Sequence, residues 1–203
     1  MKVKAILSAL LLLVLSSGCS EANTLMTCHS CHGISCQRTV SPTQEQECVD
    51  SLDYCVTIYE KSKVLYMGCS LEIPVELRQR CDSPNNGSCF KCNSNRCNDV
   101  GSERFACVQC DSSKDTNCAE NATLLKPVVC AAPKAANSYC YVKASGSGSS
   151  HIERGCATTV IDQQDCLKDA NCLLCSSGDI RGCNSVNIVT DSSAGNRFIR
   201  FLR

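Results

Sequence analysis

The sequence predicts a small, disulfide-rich, all-β protein made of two tandem domains. Three observations carry this expectation. Twenty-one of the 203 residues are cysteine, the density of a disulfide scaffold. With Cys19 set aside, the cysteines divide into two sets of ten with recurring spacing. Between the fifth and sixth cysteine of each set lie two strand-like runs around a polar tip.

Composition narrows the function before any motif is considered. Lys plus Arg and Asp plus Glu number 20 each, giving zero net charge, and the aromatics are four Phe, five Tyr and no Trp. Without a basic excess to hold phosphates or an aromatic surplus to stack bases, nucleic-acid binding is not expected. So few aromatics would also leave a reduced, cytosolic form with a weak core, and an oxidising compartment is the expectation.

Both ends of the chain bear on that compartment. Lys2 and Lys4 precede an apolar run from Ala5 to Leu15, followed by the small residues Ser16, Ser17, Gly18 and Ser20. This is the pattern of a secretory signal peptide, here 1–20, with cleavage after Gly18 as the alternative. Cleavage after Ser20 removes Cys19 and leaves an even 20 cysteines. The run is too short to span a bilayer, for which roughly 20 residues are needed. A glycolipid anchor requires an apolar C-terminal tail of about 10–20 residues, and Arg197, Arg200 and Arg203 interrupt it. The expectation is a secreted, extracellular protein with no stable membrane anchor and a flexible tail over 185–203.

The repeat is explicit in the spacing. The first set reads C-x2-C-x4-C-x11-C-x6-C-x13-C-x11-C-x7-C-x2-C-x4-C and the second C-x2-C-x7-C-x11-C-x9-C-x15-C-x9-C-x5-C-x2-C-x7-C. Neighbours recur in register. Tyr54 and Tyr139 precede the fifth cysteine, Gly68 and Gly155 precede the sixth, and Cys97-Asn98-Asp99-Val100 returns as Cys183-Asn184-Ser185-Val186. The chain is therefore a tandem duplication, with repeat 1 at 21–98, a linker at 99–106 and repeat 2 at 107–184. Units of this size gain only a few kcal/mol from a single apolar core. Disulfides worth about 2–4 kcal/mol each dominate their stability. Ten cysteines allow roughly 945 pairings, and spacing alone does not choose among them.

Local patterns place the strands. Val56–Tyr59 and Val64–Met67 flank the tip Glu60–Lys63, and Tyr141–Ala144 and His151–Arg154 flank Ser145–Ser150. Both read as hairpins. The remaining spacers are polar and rich in Ser, Asn and Asp, and read as loops. Only Leu71–Arg78 suggests a helical turn, limited by Pro74.

An opening C-x2-C, a hairpin between the fifth and sixth cysteines and a closing Cys-Asn resemble the three-finger superfamily of lymphocyte-antigen-six proteins, the urokinase receptor and snake neurotoxins. The resemblance covers 28–98 and 107–184. It is closer to secreted insect proteins with two such repeats, whose eighth and ninth cysteines are separated as in Cys89-Phe90-Lys91-Cys92 and Cys172-Leu173-Leu174-Cys175. It implies two tandem three-finger domains with pairs Cys28–Cys55, Cys31–Cys36, Cys48–Cys69, Cys81–Cys89 and Cys92–Cys97 in repeat 1. In repeat 2 it implies Cys107–Cys140, Cys110–Cys118, Cys130–Cys156, Cys166–Cys172 and Cys175–Cys183. Asn98 and Asn184 are implied to bond to the backbone of the opening strand and close a palm from which fingers project. Because the seventh and eighth cysteines are close together, the third finger is expected to be rebuilt from the x11 and x9 segments before them.

Alternative chemistries fit less well. Cys28-His29-Ser30-Cys31-His32 has the form of a c-type haem attachment and offers two Cys and two His to zinc. Repeat 2 places Cys107-Val108-Gln109-Cys110-Asp111 there, without either histidine. A thiol oxidoreductase needs a helix N-terminus beside its reactive cysteine, and no amphipathic helix is expected after any C-x-x-C. His29, His32 and His151 are the only histidines, and none is duplicated, which disfavours nucleophilic catalysis. Gly146–Ser150 lacks the Gly-Lys-Ser/Thr ending of a phosphate loop. The expectation is no enzyme, no cofactor and no metal.

The functional expectation is a binding module that recognises an extracellular protein or receptor through its fingertips. Inhibition of a secreted enzyme is one alternative, since paired three-finger domains also resemble the phospholipase inhibitors of snake serum; a structural extracellular role is another. Recognition is expected around the central tip of repeat 1, where Tyr59, Lys61, Lys63 and Tyr66 set aromatics beside cations. Two sequons, Asn86-Gly87-Ser88 and Asn121-Ala122-Thr123, are candidate glycosylation sites.

Overall fold

The computed structural model describes residues 25–37, 44–83, 87–146, 150–176 and 183–186, and the backbone of two strands at 188–190 and 199–201. The signal segment and Asn86 lie outside the described residues.

Repeat 1 is a five-stranded antiparallel sheet. Its strands are β1 (Thr27–His32), β2 (Gln44–Glu47), β3 (Cys55–Glu60), β4 (Lys63–Cys69) and β5 (Cys89–Cys92), in the order β2-β1-β4-β3-β5. The β-branched and aromatic run of β3 is its most buried strand, with Cys55, Val56, Thr57, Ile58 and Tyr59 all inside. Two layers account for this. On one face Val56 and Ile58 pack with Ile73, Leu77 and the Cys81–Cys89 bridge. On the other, Tyr59, Val64 and Met67 pack with Cys36 and with Ala136 from repeat 2.

Repeat 2 repeats the plan with a broken opening strand. β6 (Ala106–Cys107) pairs with β8 (Val128–Val129), and β7 (Cys110–Asp111) pairs with the central hairpin. That hairpin is β9 (Tyr139–Ser145) and β10 (His151–Ala157), and with β11 (Cys172–Cys175) it forms the sheet β11-β9-β10-β7. Unlike β3, β9 alternates. Cys140, Val142 and Ala144 are buried while Tyr139, Tyr141 and Lys143 are half exposed.

The x11 and x9 segments both carry helix, which in repeat 1 is the turn expected within Leu71–Arg78 and in repeat 2 stands where a loop was expected. In repeat 1 the segment holds α1 (Val75–Arg78), which starts after Pro74, where a proline is tolerated because no intrahelical N–H is needed. Repeat 2 has α2 (Asn117–Glu120) in its first excursion and a longer α3 (Val160–Lys168) in the x9 segment. α3 begins with a reciprocal capping box. The Thr159 hydroxyl accepts from the Asp162 N–H and the Asp162 carboxylate accepts from the Thr159 N–H, each at 3.1 Å. This satisfies two otherwise orphaned donors, and Thr-x-x-Asp was the signal available in the sequence. In the tail, Ile188–Thr190 and Ile199–Phe201 pair as antiparallel strands β12 and β13, in runs of β-branched and aromatic residues that favour extended backbone.

The linker joins the repeats through the segment 134–136. The Gly101 N–H donates to the Lys134 carbonyl at 2.7 Å, the Lys134 ammonium to the Glu103 carbonyl at 2.7 Å, and the Ala136 N–H to Asp99 Oδ1 at 3.4 Å. Ala136 completes the cluster around Tyr59. Glycine is needed at 101, since an added Cβ would stand 2.4 Å from the Ala135 carbonyl oxygen.

Candidate functional site

The described residues contain ten disulfides. In repeat 1 they join Cys28–Cys55, Cys31–Cys36, Cys48–Cys69, Cys81–Cys89 and Cys92–Cys97. In repeat 2 they join Cys107–Cys140, Cys110–Cys118, Cys130–Cys156, Cys166–Cys172 and Cys175–Cys183. These are the pairs that the resemblance implies, and none crosses the linker. Each C-x-x-C sits in or beside strands, where residues three apart point to opposite faces. Cys28 therefore joins the buried cluster of Cys48, Cys55, Cys69, Cys92 and Cys97, while Cys31 bridges to Cys36 near Met67. Cys107 plays the same part in the cluster of Cys130, Cys140, Cys156, Cys175 and Cys183. Sulfur groups close enough for a metal, Cys28/Cys48/Cys69 and Cys107/Cys130/Cys156, consist of disulfide sulfurs, which carry no thiolate.

Over each sulfur cluster lies a fully buried asparagine. Asn98 accepts from the His29 N–H at 2.9 Å and donates to the carbonyls of His29 at 2.9 Å and Val56 at 3.0 Å. Asn184 accepts from the Val108 N–H at 3.1 Å and donates to the carbonyls of Val108 at 2.8 Å and Tyr141 at 3.2 Å. In both repeats the side-chain amide acts as one more rung of the ladder. It pairs with the residue after the first cysteine and ties it to the residue after the fifth. Asp in its place would lose the donor and Leu both roles.

The four tip residues separate. Tyr59 is 5% exposed, and its hydroxyl donates to the Val100 carbonyl at 2.5 Å. Burial, with Glu103 and Asp99 nearby, raises its phenol well above the ordinary value. The expectation that Tyr59 meets a partner is therefore corrected, because segment 134–136 and the linker already cover it. Tyr66 stays half exposed and meets His32 edge to face at 5.7 Å, while Lys61 is exposed and Lys63 half exposed. The hairpin closes through only Lys61 and Ser62, both with positive φ, 48° and 72°. A two-residue turn of this hand suits Asn-Gly, and side chains at both positions strain it.

Histidines do not gather. His29 and His32 stand three apart on β1, and His151 sits 3.6 Å from Asp111 in repeat 2. At the remaining sequon, Asn121 and Thr123 are both exposed, as attachment of a glycan requires. Sequence reasoning missed the buried Arg154. Its guanidinium donates to the carbonyls of Cys118 at 2.8 Å, Val186 at 3.0 Å, and Asn184. Desolvation lowers its pKa to about 10.

Fold and bridges together define a duplicated, mostly-β, cysteine-rich protein in which each repeat is stapled separately. The family model described as a domain of unknown function (DUF753) matches twice, over 26–98 and 105–184, and the chain belongs to that family. No curated protein matches it. Among the described residues, no helix is long and apolar enough to cross a membrane.

Proposed function

We propose that the protein is a secreted, non-enzymatic binding module whose two repeats are three-finger domains, and that it recognises an extracellular protein or receptor through the central tip of repeat 1. Ten disulfides suit an oxidising, extracellular setting. Three excursions leaving a sulfur-rich base, with a buried asparagine over it, support the three-finger reading.

One observation carries the choice of site. Lys61 and Ser62 hold consecutive left-handed backbone conformations without glycine, a strain of order 1 kcal/mol per residue. Strain of this kind persists where side-chain identity at the turn matters more than stability. The strained tip presents Lys61, Lys63 and Tyr66 on a sheet whose two faces are both packed, and loops on a rigid base are where recognition concentrates.

The test uses affinity capture from extracellular fluid with the full secreted chain. Lys61→Ser with Lys63→Ser should leave the urea midpoint unchanged and abolish capture of the partner retained by the natural protein. Lys61→Asn with Ser62→Gly should stabilise the hairpin by about 1 kcal/mol and also lose the partner. Undiminished capture by both variants would move the site elsewhere.

A further inference from the structure

The face of the central hairpin that is packed in repeat 1 is open in repeat 2. Cysteine register aligns the two. Val56 and Tyr141 follow the fifth cysteine, Ile58 and Lys143 stand three residues beyond it, and Tyr66 and Glu153 stand three before the sixth. In repeat 1, Val56 and Ile58 are covered by Ile73, with Tyr66 and Leu77 at the margin. In repeat 2 the same positions line a cavity of about 310 Å³ between the sheet and α3. Burial along the strands reports the same difference, continuous in β3 and alternating in β9.

Most of what lines the cavity is polar. The Tyr141 hydroxyl donates to Glu153 Oε1 at 2.5 Å. Its ring lies over Gly155, where an added Cβ would stand 2.8 Å from Cε1. Asp162 and Asp165 face the cavity from α3, and the Cys166–Cys172 bridge supplies an apolar wall. Lys143 also lines it, neutralised by Asp169 at 3.0 Å, and Lys168 pairs with Asp165 at 3.1 Å. Among the lining residues three carboxylates, those of Glu153, Asp162 and Asp165, thus face one ammonium, that of Lys143. Giving up an apolar cluster that the sister repeat keeps is a local violation of good packing, of the kind retained at functional sites.

We propose that the cleft under α3 is a binding site for a single organic cation, an alkylammonium or guanidinium group. Glu153 and the α3 carboxylates supply the charge, the Tyr141 ring supplies a cation–π face, and the disulfide packs against the alkyl stem. The volume is at the small end for ligand sites, which suits one arginine or lysine side chain, or a free amine of that size. The cleft lies in repeat 2, and the inference stands independently of the tip at Lys61.

The test is an NMR titration of the full secreted chain with Nα-acetyl-arginine methylamide, with agmatine as the free-amine probe and the citrulline analogue as the neutral control. Saturable shifts are expected at residues 141–143, 153–156 and 162–166, with the citrulline analogue at least about tenfold weaker. Tighter binding of the capped arginine than of agmatine marks a protein side chain as the source, and the reverse marks a free amine. Glu153→Gln and the surface change Asp165→Asn should each weaken binding about threefold. Lys143→Ile with Glu153→Tyr imports the residues of repeat 1 and should abolish it. Lys61→Ser with Lys63→Ser should bind the probe unchanged, which separates this site from the tip. Equal binding of the citrulline analogue, non-saturating shifts, or full binding by folded Asp165→Asn and Lys143→Ile/Glu153→Tyr proteins would overturn the proposal.

Discussion

In repeat 1 the carbonyls of Asn98 and Val100 accept from two hydroxyls, those of Thr57 and Tyr59. In repeat 2 the equivalent carbonyls of Asn184 and Val186 accept from one guanidinium nitrogen of Arg154. Strand register makes the exchange explicit. Thr57 opposes Met67 across the first hairpin, and Val142 opposes Arg154 across the second. The polar donor sits on the first strand of the hairpin in repeat 1 and on the second in repeat 2, with an apolar residue opposite it each time. Ala144 stands where repeat 1 has Tyr59, because Arg154 reaches both carbonyls. What the duplication keeps is the requirement that buried carbonyls be paired. The side chain that meets it is free to change.

The largest expected effect tests what the repeats share. Asn98→Ala would remove the buried amide that pairs with the His29 N–H and with the carbonyls of His29 and Val56. The loss should be about 3 kcal/mol or more, read as a fall in the yield of folded protein and in the urea midpoint, with amide protection lost in repeat 1 alone. Asn184→Ala should do the same to repeat 2. A midpoint within error of the natural protein would show that the asparagines are dispensable.

Next comes what they do differently. Arg154→Met strips donors from two buried carbonyls, those of Cys118 and Asn184, and from the half-buried carbonyl of Val186, and should cost about 3 kcal/mol. Adding Val142→Thr and Ala144→Tyr to it installs the hydroxyls of repeat 1 and should recover at least half of that loss. If the triple variant is no more stable than Arg154→Met, the two repeats are not alternative solutions to one problem.

A smaller change addresses the junction. Gly101→Ala drives a methyl group into the Ala135 carbonyl and should detach segment 134–136 from repeat 1 while leaving both sets of disulfides intact. Faster amide exchange at Ala136 and a larger radius in small-angle scattering are expected. Unchanged scattering would mean that the repeats are held by other contacts.

The smallest effect is electrostatic and confined to repeat 2. The Ser113 hydroxyl and N–H, followed by His151 and Lys114, hold the Asp111 carboxyl below the usual carboxylate range. The folded state therefore binds this proton less readily than the unfolded one, so these contacts to the ionised Asp111, led by those of Ser113, stabilise repeat 2 above the usual range and cease to do so as pH falls through the folded value. Asp111→Asn should flatten the acid limb of the urea midpoint measured between about pH 2 and 5, and an unaltered limb would assign acid sensitivity elsewhere.

The duplication and the two hairpins were legible because cysteine spacing and strand alternation are local and periodic, and the roles of Asn98 and Asn184 were implied by the family resemblance of the closing Cys-Asn. The exposure of Lys61 was legible from the same local pattern: a polar tip between apolar runs turns to solvent, although Lys63 beside it is half exposed. Other features were decided by tertiary structure alone. Tyr59 reads as a tip residue in the sequence, yet it is buried, since the segment that covers it comes from residues 134–136 of the other repeat, about 75 positions away. The helix α3 was masked by a polar spacer whose capping box is one short signal among many. Arg154 reads as a surface cation, and only the fold shows three carbonyls converging where it ends. Sequence by itself determined how many cysteines each repeat carries and how often the plan repeats, because short-range periodicity is written along the chain, whereas the choice of bridges came from the family resemblance. Which faces the two repeats fill and which they leave open depends on long-range packing, and that only the tertiary structure decided.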